Sequence, residues 1–207
     1  PGSDAGQIFP AAANYTVNPF ADAHNATLLP FVNGRGLDPA GSQDRKIMAY
    51  NFRVCLTDNV SNRIPLPKPA NYNDAQYELL ARYLSINPSL HALHIEECRG
   101  RHRQPGCGMF IWGKLRLPNT DSGKLDLNTL GPFSSNMVGA SWQWPLANDT
   151  ERASIYQRHK DYDQGLLWFL SNSNRVPGQM RKEIQRYGLC RDEFPATEHW
   201  PPQLYVR

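Results

Sequence analysis

The sequence predicts an α+β fold with a mixed or antiparallel sheet, a few helices and long loops. Apolar and polar residues alternate over residues 46–57, which is the best strand pattern in the chain, and apolar residues recur at helical spacing from about residue 148 to 173. Strands and helices do not alternate strictly along the sequence, which argues against a regular βαβ arrangement. With 17 prolines and 15 glycines among 207 residues, much of the chain is expected in turns.

Residues 1–45 have no sustained periodicity and are rich in Gly, Pro, Ala, Asn and Asp, which indicates an extended, loop-rich arm lying on a partner domain. The domain proper is predicted to span residues 46–207. Its first strand has an apolar face made by Met48, Tyr50, Phe52, Val54 and Leu56. Its other face is formed by Ala49, Asn51, Arg53 and Cys55.

Prolines keep residues 64–72 extended, and Asn73 or Asp74 then caps a helix predicted to run to about residue 86. Residues 109–117 and 124–127 are interpreted as strands. The longest helix should begin near Asn148 or Thr150 and end near Ser173. Its apolar stripe would comprise Ile155, His159, Tyr162, Leu166 and Phe169.

A further helix is predicted from Pro177 to about Tyr187, closed by Gly188. The remaining residues, 189–207, are expected to be irregular and aromatic.

Four Asn-X-Ser/Thr sequons without a central proline favour a glycosylated, secreted, extracellular protein, and four cysteines agree with an oxidising compartment. The sequon asparagines are Asn14, Asn25, Asn59 and Asn148. Cys98 and Cys107 bracket a short loop that a disulfide would staple. Cys55 and Cys190 would form a second disulfide, or either would be a buried thiol.

The net charge of +3, scattered along the chain, does not indicate a nucleic-acid partner, and no apolar run is long enough to cross a membrane. The glycines at 106 and 108 precede a strand instead of opening a helix, so they do not form a dinucleotide loop. A zinc set would need His91, His94, Cys98 and Cys107, but paired cysteines would remove two ligands. No metal is therefore expected.

Residues 125–145 are poor in charge and rich in amide, hydroxyl and indole groups, a mixture that suits a sugar-like ligand or a loop packed on a domain partner. A second cluster of polar and aromatic residues lies at 198–207. Within it, His199 could act as a general base or could be a hydrogen-bonded histidine in an interdomain seam.

Six stretches in order together resemble one family: Ala-Tyr-Asn-Phe-Arg-Val-Cys-Leu-Thr (49–57), Asn-Arg-Ile-Pro-Leu-Pro-Lys-Pro (62–69), Lys-Leu-Asp-Leu-Asn-Thr-Leu-Gly-Pro-Phe-Ser (124–134), Tyr-Asp-Gln-Gly-Leu-Leu-Trp-Phe-Leu (162–170), Tyr-Gly-Leu-Cys-Arg-Asp-Glu-Phe (187–194) and His-Trp-Pro-Pro-Gln-Leu-Tyr-Val-Arg (199–207). The chain is similar over residues 44–207 to FAD-dependent oxidoreductases whose bacterial members are often labelled xanthan lyase-like.

The resemblance implies a fragment that holds the substrate-side, or cap, portion of such an enzyme. The Gly-rich FAD loop and the rest of the flavin domain would belong to the same polypeptide outside this stretch, so FAD is implied for the complete enzyme and no cofactor is expected here. The family motif runs on past Arg207, where this chain stops. The fragment would then be inactive alone.

The resemblance also suggests roles for the polar groups. His199 would be the base that takes a proton from an alcohol, and Arg53 or Arg207 would hold an anionic group such as a uronate. Substrate would be positioned in a cleft facing the flavin by Asn51, Asn128, Asn136, Trp142, Gln203 and Tyr205. The expected partners are the flavin domain and a carbohydrate or polyol. The alternatives are a non-catalytic secreted glycan-binding module and a proteolytic core.

Overall fold

The computed structural model describes residues 17–22, 24, 26–32, 38–39, 41–86, 112–116, 123–129, 133 and 135–206. Several predicted features lie outside the described residues. They are the sequons at Asn14 and Asn25, the Cys98–Cys107 disulfide, the rejected zinc set containing His91 and His94, and Arg207.

The described residues confirm the α+β class, with three α-helices and antiparallel sheets. The main sheet has five strands in the order β4-β7-β3-β6-β5. These strands are β3 (Val54–Thr57), β4 (Arg63–Ile64), β5 (Trp112–Arg116), β6 (Lys124–Thr129) and β7 (Gly188–Cys190).

One face of the central strands β3 and β6 is apolar and buried. Val54 pairs with Leu127 and Leu56 pairs with Leu125, and all four side chains are almost completely buried. Because successive side chains point to opposite faces of a strand, this register places Cys55 and Asp126 together on the other face. The sheet therefore separates a core side from a polar side.

The strand predicted for residues 46–57 is shorter in the structure. Ladder pairing starts at Val54, and the residues before it contribute only a bridge between Asn51 and Tyr205. Tyr50 and Phe52 are buried as predicted, but Met48 is 59% exposed, so its placement on the buried face was wrong. Among the described pairings, β3 pairs with β6 only from Val54 onward. The residues before Val54 therefore have no partner on β6 that would keep their side chains alternating between the two faces.

The helices agree closely with the sequence prediction. A 3-10 turn over Asp74–Tyr77 is capped by Asn73, whose side chain accepts from the Ala75 N–H, and it leads into α1 (Glu78–Ser85). The long helix α2 (Asp149–Asn172) begins after Asn148, which forms a reciprocal capping box with Glu151. Helix α3 (Gly178–Gln185) follows Pro177.

The core lies between the sheet and α2. Phe52 makes edge-to-face contacts with Tyr156 of α2 and with Trp200, at ring-centroid distances of 5.1 and 5.6 Å. Deeper along α2, Gly165 is needed because a Cβ there would collide with the Tyr77 hydroxyl. The tyrosine therefore packs directly against the helix backbone.

The segment after α3 is more ordered than predicted. Gly188 does not close a helix. It opens strand β7, and a Cβ at this position would collide with the carbonyl oxygen of Ile64 on the neighbouring strand. The disulfide between Cys55 and Cys190 is present and joins β3 to β7, with the Cα atoms 5.7 Å apart.

The N-terminal arm also contains regular structure. Strands β1 (Phe20–Asp22) and β2 (Thr27–Leu28) pair antiparallel, and the Arg82 guanidinium of α1 donates to the carbonyl oxygens of Asn18 and Phe20. In the part of the chain that the structure describes, no helix combines the length and apolar character needed to cross a bilayer.

Candidate functional site

The C-terminal segment returns to the strand region that carries Asn51. The Tyr205 N–H donates to the Asn51 carbonyl oxygen at 2.8 Å, so two residues far apart in sequence become neighbours. The Asn51 side chain is fully buried, and its Nδ2 donates to the Ser135 hydroxyl at 3.3 Å. Within the described ranges, its Oδ1 has no hydrogen-bond donor.

Arg53 lies near Tyr205 and forms an ion pair with Asp126. Its Nε donates to Asp126 Oδ1 at 3.0 Å, and its Nη2 donates to the second carboxylate oxygen. The bond to Asp126 raises the pKa of Arg53. The guanidinium carbon also lies 5.7 Å from the centre of the Tyr205 ring. An anionic substrate would have to compete with Asp126 for this arginine.

The amide-rich loop of residues 135–144 packs against residues 46–51. Lys46 lies over the Trp142 ring at 5.9 Å, and Trp144 meets Tyr50 edge-to-face at 6.0 Å. Together with the bond from Asn51 to Ser135, these contacts place Asn136 and Trp142 beside the strand residues predicted to bind substrate. Direct contacts join Asn51 and Arg53 to Tyr205, and the substrate-binding roles predicted for these residues and for Asn136 and Trp142 stay predictions.

A buried histidine holds the far end of that loop on α2. His159 is fully buried, and its Nδ1 lies 2.8 Å from the Ile155 carbonyl oxygen, which can only accept a hydrogen bond. Nε2 is therefore the acceptor for the Ser141 hydroxyl at 3.1 Å. Burial lowers the pKa of His159, which favours the neutral ring that this arrangement requires.

His199 is anchored in a different place. Its Nδ1 lies 3.1 Å from the Glu193 carbonyl oxygen, so Nδ1 carries the proton and Nε2 keeps a lone pair. The backbone at Phe194, Glu198 and His199 is left-handed, with φ of 49°, 56° and 62°. Such strain in non-glycine residues clusters at functional sites.

No contact of the described residues joins His199 to the group around Asn51. Glu193 is bound by Lys124, which pairs with Thr57 at the far end of β3. The chain returns toward Asn51 at the residue after His199, because the Trp200 ring lies 5.6 Å from the ring of Phe52, which follows Asn51.

Gln203 is exposed, and Asn128 lies on β6 in register with Gly113. Asp126, Ser135 and Ser141 were missed by sequence reasoning. The alternation over residues 124–128 could have revealed Asp126. Leu125 and Leu127 face the core, so Asp126 between them must lie on the opposite, polar face.

A family model described as FAD dependent oxidoreductase matches residues 3–207. No curated protein matches the chain, and no solved structure matches it.

The described residues do not fit the diphosphate half of a dinucleotide. That site needs a glycine-rich turn between a strand and a helix of a parallel βαβ unit, with room for phosphate against the backbone. The described strand pairs are antiparallel. The tight glycines of the described part, Gly123, Gly165 and Gly188, are closed by the protein's own Asp58, Tyr77 and Ile64. The described part of the chain can therefore bind and orient a substrate and transfer a proton.

Proposed function

This chain belongs to the FAD-dependent oxidoreductase family, and on that premise we propose that it forms the substrate-binding portion of a secreted flavoenzyme that oxidises a carbohydrate or polyol. The family's xanthan lyase-like members are the ones its motifs resemble. The flavin domain of the same polypeptide is the partner that completes the enzyme, and the portion described here is inactive without it.

The observation that carries the proposal is the convergence of polar and aromatic groups at Asn51. Tyr205 is 45% exposed, and the Arg53 guanidinium over its ring belongs to the partly exposed Arg53–Asp126 pair. Sugars bind through such mixtures, because their C–H faces pack on aromatic rings and their hydroxyls pair with charged and amide groups. The buried hydrogen bond from Asn51 to Ser135 holds the backbone segments that carry these groups together.

His199 supplies the proton acceptor in this proposal. Oxidation of an alcohol needs a base for the hydroxyl proton, and a neutral imidazole with a free Nε2 lone pair is suited to that task. The carbonyl of Glu193 holds the ring in the required tautomer. Removing the base should therefore lower turnover without removing substrate binding.

The direct test is His199→Ala in the complete flavoenzyme. We expect kcat to fall by roughly 100-fold or more, the contribution typical of a general base, with KM changed little. His24→Ala, at an exposed histidine, is the matched control and should leave both constants unchanged. Unchanged turnover of His199→Ala would remove His199 from the mechanism.

Secretion and glycosylation belong to the same proposal. The Cys55–Cys190 disulfide supports an oxidising compartment. Asn59 and Asn148 are exposed, and Asn59 lies in the turn between β3 and β4, where its Oδ1 accepts from both the N–H and the hydroxyl of Ser61. The intact mass of the secreted protein should fall on enzymatic deglycosylation, and an unchanged mass would contradict this part of the proposal.

A non-catalytic glycan-binding module is the second candidate, because the same polar and aromatic surface would serve it. The two functions differ in what the natural protein carries. A yellow protein whose flavin is reduced by sugar supports the enzyme, and a colourless protein that binds glycan supports the module.

A further inference from the structure

A second concave surface lies away from the Asn51 group. It is a depression of about 570 Å³ between the 3-10 turn at Trp144–Leu146 and the first half of α2. This volume falls in the range of small-molecule sites. Leu146, on its rim, is 83% exposed. The lining of the depression includes Gln143, Leu146, Glu151, Ser154, Ile155 and Arg158.

The depression has an acidic residue at one end and a basic residue at the other. Glu151 and Arg158 are seven residues apart on α2, so they lie on one face of the helix, about 10 Å apart along its axis. Ser154 and Ile155 lie between them. The depression thus has an acidic end, a cationic end, and a floor with one hydroxyl and one aliphatic side chain.

The cationic end is available for a ligand. In the part of the chain that the structure describes, the Arg158 guanidinium has neither an ion pair nor a hydrogen bond, and the residue is exposed. Arg53 differs, because Asp126 already occupies its fork. Glu151 is engaged at one oxygen, which accepts the Asn148 N–H at 2.8 Å. Its other oxygen remains an acceptor for hydroxyl groups.

A ligand that matches this pattern has a carboxylate at one end and hydroxyls at the other. A guanidinium binds a carboxylate with two parallel hydrogen bonds. The C–H faces of a sugar ring would pack on the exposed Leu146, and its hydroxyls would reach Ser154, Gln143 and Glu151. The repulsion from Glu151 would orient the carboxylate toward Arg158.

We propose that this depression is a binding subsite for a uronate-containing saccharide, with Arg158 as its carboxylate ligand. The choice of a saccharide over another organic carboxylate rests on the proposed function. The site moves the expected anion-binding role from Arg53 to an arginine that sequence reasoning did not single out.

The test is a calorimetric titration of the complete protein with glucuronate, glucose and acetate, using wild type and Arg158→Gln. Wild type should bind glucuronate at least about tenfold more tightly than glucose or acetate, and Arg158→Gln should lose that preference. Arg191→Gln makes the same charge change at an exposed arginine outside the depression and should bind like wild type. Unaltered thermal unfolding of Arg158→Gln would show that it folds.

Equal binding of glucuronate by wild type and Arg158→Gln, absence of binding, or acetate binding as tight as glucuronate would each overturn the subsite. Sugar oxidation is scored separately by flavin reduction with a neutral sugar, which Arg158→Gln should leave unchanged. A protein that oxidises no sugar but binds glucuronate through Arg158 would contradict the proposed function and keep the subsite.

Discussion

Asp163 is a carboxylic acid whose side chain is buried in the folded protein. It lies on α2 with 2% exposure, and burial raises the pKa of its carboxyl well above the usual range, with the Phe52 N–H opposing that shift only in part. Folding therefore favours the protonated form of Asp163. Its neutral form is the one that a core beside Phe52 tolerates.

The raised pKa predicts a specific pH dependence. Above about pH 4 the unfolded chain releases this proton and the folded chain keeps it, so rising pH destabilises the fold until the folded pKa is passed. Asp163→Asn removes the titration. The free energy of unfolding of the variant, relative to wild type, should be higher at pH 6 than at pH 4, by at most about 1.4 kcal/mol for each pH unit.

Urea denaturation at both pH values measures this difference. Asp161→Asn changes a partly exposed carboxylate two residues away on the same helix and serves as the control. A constant difference between Asp163→Asn and wild type across the pH range would show that Asp163 is ionised when folded.

Helix α2 shows what local sequence can determine at the scale of an element. Its start was predicted from Asn148, and the capping box confirms it. Replacing Asn148 with Ala should cost about 1 kcal/mol of unfolding free energy. Asn148→Ala also destroys a sequon, so Thr150→Ala, which destroys the same sequon and keeps the cap, separates the two effects. Equal stability of both variants in an unglycosylated preparation would contradict the capping role.

The disulfide between β3 and β7 is the second element-scale feature. Its cysteines are 135 residues apart, and the chain-entropy account of such a cross-link gives about 5 kcal/mol of stabilisation. Changing both Cys55 and Cys190 to Ser should lower the free energy of unfolding by roughly 2–5 kcal/mol. Chemical denaturation measures this loss, and an unchanged midpoint would mean that β7 is held by packing alone.

The elements that were predicted well depend on neighbours in sequence, and those that were missed depend on distant ones. The ends of α2 follow from Asn148 and helical spacing. By contrast, alternation over residues 46–57 could not reveal that pairing with β6 begins only at Val54, so Met48 was placed inside. Likewise, the ordered strand at Gly188 exists because Ile64, more than a hundred residues earlier, lies against it.

At the scale of the whole molecule, the candidate site is a product of long-range contacts. Asn51, Ser135 and Tyr205 come from three separate parts of the chain and meet through two hydrogen bonds. Sequence motifs identified Asn51 and Tyr205 as members of one family pattern. Only the fold shows that Arg53 forms an ion pair with Asp126. The same fold anchors His199 on the Glu193 carbonyl and packs the next residue, Trp200, on Phe52.

The central claim is that this fold serves substrate oxidation by a flavoprotein, and the complete natural protein tests it most directly. Purified and kept free of oxygen, it should show flavin absorbance that bleaches when a carbohydrate or polyol substrate is added. The bleaching should be slowed by His199→Ala. A colourless protein, or a flavin whose absorbance no sugar or polyol changes, would contradict the account.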